Sequence, residues 1–211
     1  AVAVSASVVG TVGTSVVLPC SYPTAAAVSL EDLNIYWQIN DSMVVHFFRK
    51  KDDNAHQHPK YKNRTKLFYK ELVQGDCSLT LFNVNVGDEA KYSAHVILAT
   101  TSEKHTTEVY LQSSPASYKM PLISRRPISG NIPCGKNATY TCTSSGGYPK
   151  PWVLWLINNT EVPTDPNNLQ IQQDPTNQLY TVTGFLNANI TEESNVSCIF
   201  MNNVLGENKT A

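Results

Sequence analysis

The chain has 211 residues, 41% of them hydrophobic, with 16 Lys and Arg against 17 Asp and Glu and a formal net charge of −1 at pH 7. That balance gives no bulk electrostatic drive toward nucleic acid or an anionic membrane, and the longest basic run is the triplet Arg49-Lys50-Lys51. The length suits two domains of roughly 100 residues each. No leader opens the chain and no apolar run reaches the roughly 18 residues of a membrane span, so an ectodomain is expected, joined to a membrane only through a segment outside this chain; a soluble protein is the alternative.

Taken in order, the sequence reads as short alternating strands separated by turn residues, with no long helical stripe. Val16, Leu18 and Cys20 share one face of an early strand. Residues 35–38 carry Trp37, and Asn40-Asp41-Ser42 turns the chain into Val44-Val45-His46-Phe47-Phe48. Further strands are expected over 66–68, 77–81, 92–98 and 106–111. The long interval between Trp37 and Leu79 has room for the extra edge strands of a variable-type immunoglobulin domain. A polar linker, residues 113–117, then divides a domain over 1–113 from one over 118–211. In the second domain Gly147-Tyr148-Pro149-Lys150-Pro151 marks a turn in which an X-Pro bond is a candidate for cis. Cys142, Trp155 and Cys198 follow at the spacing of an inter-sheet disulfide with its packed tryptophan, and the shorter interval from Trp155 to Leu179 suits a constant-type domain. The fold class is therefore all-β: two tandem immunoglobulin-like β-sandwiches, variable-type then constant-type.

The five cysteines lie far apart without a C-x-x-C pair, so they read as disulfide partners rather than as a metal site. Cys142 and Cys198 form the expected inter-sheet pair. The first domain has Cys20 and Trp37, but Ala94 stands where the second inter-sheet cysteine belongs. Period-two counting points Cys77 inward with Leu79 and Leu81, and a register with Leu18 beside Leu79 sets Cys20 opposite Cys77. A Cys20–Cys77 bond within one sheet is expected, the alternative being two buried thiols. Cys134 is left over, and its role stays open. Sequons at Asn40, Asn63, Asn137, Asn158, Asn189, Asn195 and Asn208 point, with the disulfides, to an extracellular glycoprotein.

Three runs carry a family likeness: Ile35-Tyr36-Trp37-Gln38, Tyr61-Lys62-Asn63-Arg64-Thr65 and Gly75-Asp76-Cys77-Ser78-Leu79-Thr80-Leu81-Phe82-Asn83-Val84. Together they resemble the variable domain of the T-cell costimulatory ligands of the immunoglobulin superfamily. Thr139-Tyr140-Thr141-Cys142-Thr143-Ser144 with the Gly147–Pro151 turn is similar to their constant domain. The resemblance implies a cell-surface ligand whose variable domain binds a CD28-class receptor on T cells through its front sheet and modulates their activation. Rival readings are a homophilic or heterophilic adhesion protein of the same superfamily, binding its own kind through that face, or a soluble decoy; a homodimer is a further alternative.

Alternation supplies candidates for that face independently. With Trp37 inward, Tyr36 and Gln38 point out; with Val45 and Phe47 inward, Val44, His46 and Phe48 point out; with Ala94 and Val96 inward, Ser93, His95 and Ile97 point out. Thr107 and Glu108 are placed near or on the same side. Tyr36, Phe48 and Ile97 would be the apolar anchors and Gln38, His46 and His95 the polar rim. The competing reading packs Phe48 and Ile97 under an edge loop or a glycan. His56-Gln57-His58 lacks a convincing third ligand and reads as a solvated loop. No cofactor, metal site or enzymatic motif is expected; nucleophile elbow, phosphate-cradling glycine loop and H-E-x-x-H are all missing.

Overall fold

A computed structural model describes residues 4–24, 28–126, 137–190 and 194–211, in two compact units, Ala1–Ser114 and Pro115–Ala211. Cys134 lies outside the described residues.

The first unit contains β1 (Val4–Thr11), β2 (Val16–Leu18), β3 (Leu33–Ile39), β4 (Met43–Arg49), β5 (Lys51–Asp52), β6 (Thr65–Lys66), α1 (Tyr69–Leu72), β7 (Leu79–Leu81), β8 (Ala90–Leu98) and β9 (Lys104–Ser114). A six-stranded sheet in the order β1-β9-β8-β3-β4-β5 packs on a three-stranded sheet in the order β2-β7-β6. Strands β3 and β8 alternate buried and half-exposed residues along their length, as strands with one wet face must. Asn40 and Asp41, both with left-handed φ (51° and 53°), lie in the three-residue turn 40–42 between β3 and β4, a conformation Asn and Asp tolerate well.

The core between these sheets gathers Leu18, Leu33, Ile35, Trp37, Phe48, Leu79, Leu81 and Tyr92, none of them exposed. Leu18 lies opposite Leu79, and two residues further on Cys20 and Cys77 are bonded, with Cα atoms 4.9 Å apart. The bridge thus staples neighbouring strands of one sheet. In the six-stranded sheet, Ala94 on β8 is paired directly with Trp37 on β3.

At one edge of this core Asp88, fully buried, is clasped by the Arg64 guanidinium (Nη1–Oδ1 3.3 Å) and by Lys60 Nζ at 3.2 Å from Oδ1. It also accepts the Asn85 N–H at 3.0 Å, while its backbone carbonyl accepts the Tyr92 hydroxyl at 2.7 Å. Every acceptor of this buried carboxylate therefore has a partner, which is the condition for burying a charge without a large penalty.

The second unit contains β10 (Leu122–Arg126), β11 (Asn137–Gly147), β12 (Trp152–Ile157), β13 (Thr160–Val162), β14 (Leu169–Gln173), β15 (Tyr180–Asn189), β16 (Val196–Asn202) and β17 (Glu207–Thr210). Its two four-stranded sheets run β10-β11-β15-β14 and β13-β12-β16-β17. Cys142 and Cys198 join them, Cα atoms 6.5 Å apart, beside buried Trp155 and Phe200. Tyr148-Pro149 is cis. Gly147 is required by close packing, since a Cβ there would lie 2.2 Å from the Tyr118 ring.

Candidate interaction face

Four strands of the first unit, β4, β3, β8 and β9, bring the candidate residues together. Register sets Tyr36 on β3 between Phe47 on β4 and His95 on β8, and His95 in turn opposite Thr106 on β9. The next row is Val44–Gln38–Ser93–Glu108, and the third is Arg49–Asn34–Ile97–Lys104. Tyr36, Gln38, Val44, Ser93, His95 and Ile97 are all half-exposed on this outward face.

Two expected members are not there. Phe48 and His46 are buried, 0% and 3% exposed, and Phe47 takes the outward place. The cause is a β-bulge: Trp37 pairs with His46 and Gln38 with Val44, so Val45 is an extra residue in β4. One added residue reverses the alternation for everything after it. Phe48 consequently packs inside against the Tyr69 ring, centroids 5.2 Å apart. His46 is buried through its partners, with Nδ1 2.9 Å from Thr65 Oγ1 and Nε2 3.0 Å from Asp52 Oδ1. A polar residue between apolar neighbours looks like a surface position in sequence, but those two partners satisfy it inside. Thr107 is also buried, opposite Ala94, whereas Glu108 faces outward in the row of Gln38 and Ser93.

At the centre of the face the Tyr36 and Phe47 rings stack, centroids 4.4 Å apart at 13°. His56 meets the Phe47 ring edge-on at 6.3 Å and is held by Asp53, Nδ1–Oδ2 3.3 Å. Around the aromatic pair, Gln38 donates to Asp41 Oδ1 at 3.1 Å, His95 Nδ1 lies 3.0 Å from Thr106 Oγ1, and Lys91 pairs with Glu108 at 2.8 Å. Burial, aided by the Lys104 charge, lowers the His95 pKa against the weaker opposing pull of Asp41 and Glu108. The face is thus a flat aromatic centre with a hydrogen-bonding rim, suited to a protein surface and not to a small molecule.

The segment His56-Gln57-His58 turns out to be structural at its centre. Gln57 is 6% exposed and its Nε2 donates to the Val45 carbonyl at 2.9 Å, the bulge residue itself. His58 Nδ1 accepts the Lys60 N–H at 3.2 Å. Among the described residues no group of three metal-ligating side chains occurs. Of the sequon asparagines, Asn40, Asn63, Asn158, Asn189, Asn195 and Asn208 are exposed. The Asn137 side chain lies outside the described ones.

Comparison with known proteins agrees with this architecture. Residues 3–113 match the immunoglobulin V-set domain, and residues 122–210 match the Ig-C domain of the butyrophilin subfamily 3 member A2-like type. The chain is 31% identical to human ICOS ligand over 205 residues, 94% of this chain and 66% of that protein. It is 35% identical to mouse T-lymphocyte activation antigen CD80 over 187 residues, 87% of this chain and 56% of that protein. The chain therefore spans less than two thirds of these curated relatives. A chain from the crystal structure of ICOS in complex with ICOS-L and an anti ICOS-L VNAR domain superposes with a TM-score of 0.57 at 28% identity, covering 99% of both. Bovine butyrophilin, at 23% identity and a TM-score of 0.50, shares the fold. With a V-set domain leading and an Ig-C domain following, this chain belongs to the T-cell costimulatory ligand family of the immunoglobulin superfamily.

Proposed function

We propose that the chain is the extracellular region of a cell-surface costimulatory ligand that binds a CD28-class receptor on T cells and modulates their activation, without catalysis. Binding runs through the outward face of β3, β4, β8 and β9. The observation that carries this reading is the half-exposed Tyr36–Phe47 stack at the middle of that face. Aromatic side chains centred in a rim of polar residues are where binding energy concentrates. The resemblance to ICOS ligand, which is solved in complex with ICOS, supports the receptor class. Contact over a standard or smaller interface, on the order of 1,200–2,000 Å² in total, is enough.

Surface plasmon resonance of the glycosylated chain against ICOS, CD28 and CTLA-type receptors of the same species tests it. Binding to one of them that Tyr36→Ala and Phe47→Ala both weaken is the expected result. Binding left intact by both variants rejects the face, and no binding to any of the three rejects the receptor class.

A further inference from the structure

The second unit carries an apolar face that the receptor-binding reading does not use. Along β12, Val153, Trp155 and Ile157 pack into the core, so Trp152, Leu154 and Leu156 point outward. Register sets Trp152 opposite Met201 and Leu154 opposite Ile199 on β16. Trp152 is 68% exposed, whereas Trp37 and Trp155 are 0% and 1% exposed. A sheet face left to water is normally polar, and adjoining apolar pairs of this size ask for a cover.

The same register names one. Met201 lies opposite Asn208 on β17, so Trp152, Met201 and Asn208 form a single row across the outer face. Asn208 is exposed and begins the sequon Asn208-Lys209-Thr210. Two strand spacings separate it from Trp152, about 10 Å. We propose that Asn208 carries an N-linked glycan whose first sugars lie over Met201 and the Trp152 indole, covering this face. A pyranose ring fits the surface: one of its faces presents C–H groups to the electron-rich indole face while its hydroxyls stay in water.

The other sequons of this sheet start elsewhere. Asn158 follows the end of β12, and the Asn195 N–H donates to Asn158 Oδ1 at 2.8 Å. That corner lies six residues along the chain from Trp152, roughly 20 Å at strand rise. Its glycans are therefore an internal control.

The chain has three tryptophans, and with Trp37 and Trp155 buried a collisional quencher such as acrylamide reads Trp152. The test uses the chain secreted from mammalian cells, with glycopeptide mass spectrometry for occupancy. Asn208 is expected to be modified, and quenching is expected to rise at least about twofold in Asn208→Gln and in Thr210→Ala, because the stacked sugar is gone. Thr160→Ala, which removes the Asn158 sequon, should leave quenching at the wild-type level, and Trp152→Ser should abolish the difference between glycosylated and unglycosylated forms. An unmodified Asn208 overturns the proposal, as does equal quenching in wild type and Asn208→Gln. Protection of Trp152 that persists in Asn208→Gln and vanishes on dilution would assign the face to a second copy of the chain, and overturns it too.

Discussion

The Trp37 indole N–H donates to the Cys77 carbonyl at 3.2 Å, a hydrogen bond from one sheet of the first domain to the other. It forms where the covalent inter-sheet link is missing: Cys77 is bonded within its own sheet to Cys20, and Ala94 sits opposite Trp37. The second domain reverses the arrangement. Cys142–Cys198 joins its sheets, and the buried Trp155 Nε1 has no hydrogen-bond partner among the described residues.

Trp37→Phe should therefore cost about 1–3 kcal/mol from the unpaired carbonyl, in addition to the loss of packing. Removing the Cys20–Cys77 bond should cost about 4 kcal/mol by loop closure over its 57-residue separation. Urea unfolding of the single and double variants checks both, and because the indole bonds the backbone of a bridged cysteine the two losses should not add.

The bulge in β4 predicts opposite phenotypes for neighbouring phenylalanines. Phe47→Ala should weaken receptor binding by about 2 kcal/mol, roughly 30-fold, with little change in stability. Phe48→Ala should destabilise the domain by about 3–5 kcal/mol through the cavity it leaves. Binding measured alongside thermal unfolding separates them.

Asp88 is 0% exposed and Arg64 13%, so their pairing is screened little by salt. Arg64→Met should cost about 3–5 kcal/mol, because it strips the main partner from a buried carboxylate. The loss should persist in high salt, whereas any effect of Lys50→Ala on its exposed pair with Glu31 should be within about 0.5 kcal/mol. Denaturation at low and high ionic strength distinguishes the two.

Acid should destabilise the first domain in two steps. His95 has a folded-state pKa below 6.5, first through burial and then through Lys104, so the unfolded chain takes up its proton earlier on acidification. Its contribution is present above about 6.5 and is lost as pH falls through the lower folded value. For Asp52, burial acts to raise the pKa, but the His46 hydrogen bond and charge, with Tyr69, outweigh it and hold the carboxyl below its usual range. That contribution survives moderate acidity and disappears as pH drops through the depressed value. His95→Asn should flatten the first step alone, read by unfolding at a series of pH values.

Most of the fold was readable from residues whose spacing has one physical solution. The pairing of Cys20 with Cys77 followed from the inward count at Leu18, Leu79 and Leu81, because a strand has an exact period of two. The outward-pointing residues of β3 and β8 were readable for the same reason. It failed on β4 after Val45, since nothing local distinguishes Val44-Val45-His46-Phe47-Phe48 with a bulge from the same run without one. The information sits at a distance, in Gln57 reaching the Val45 carbonyl and in Asp52 and Thr65 receiving His46. Such partners become visible only once the chain is folded.

A single surplus amino acid in β4 thus chooses which aromatic ring the outer face of the sheet displays. Two homologues that differ in this strand by that surplus position alone would turn opposite side chains outward over the rest of it. Transfer of binding residues between relatives by sequence alignment alone would then exchange an anchor for a core side chain, so strand register must be compared before function is inferred.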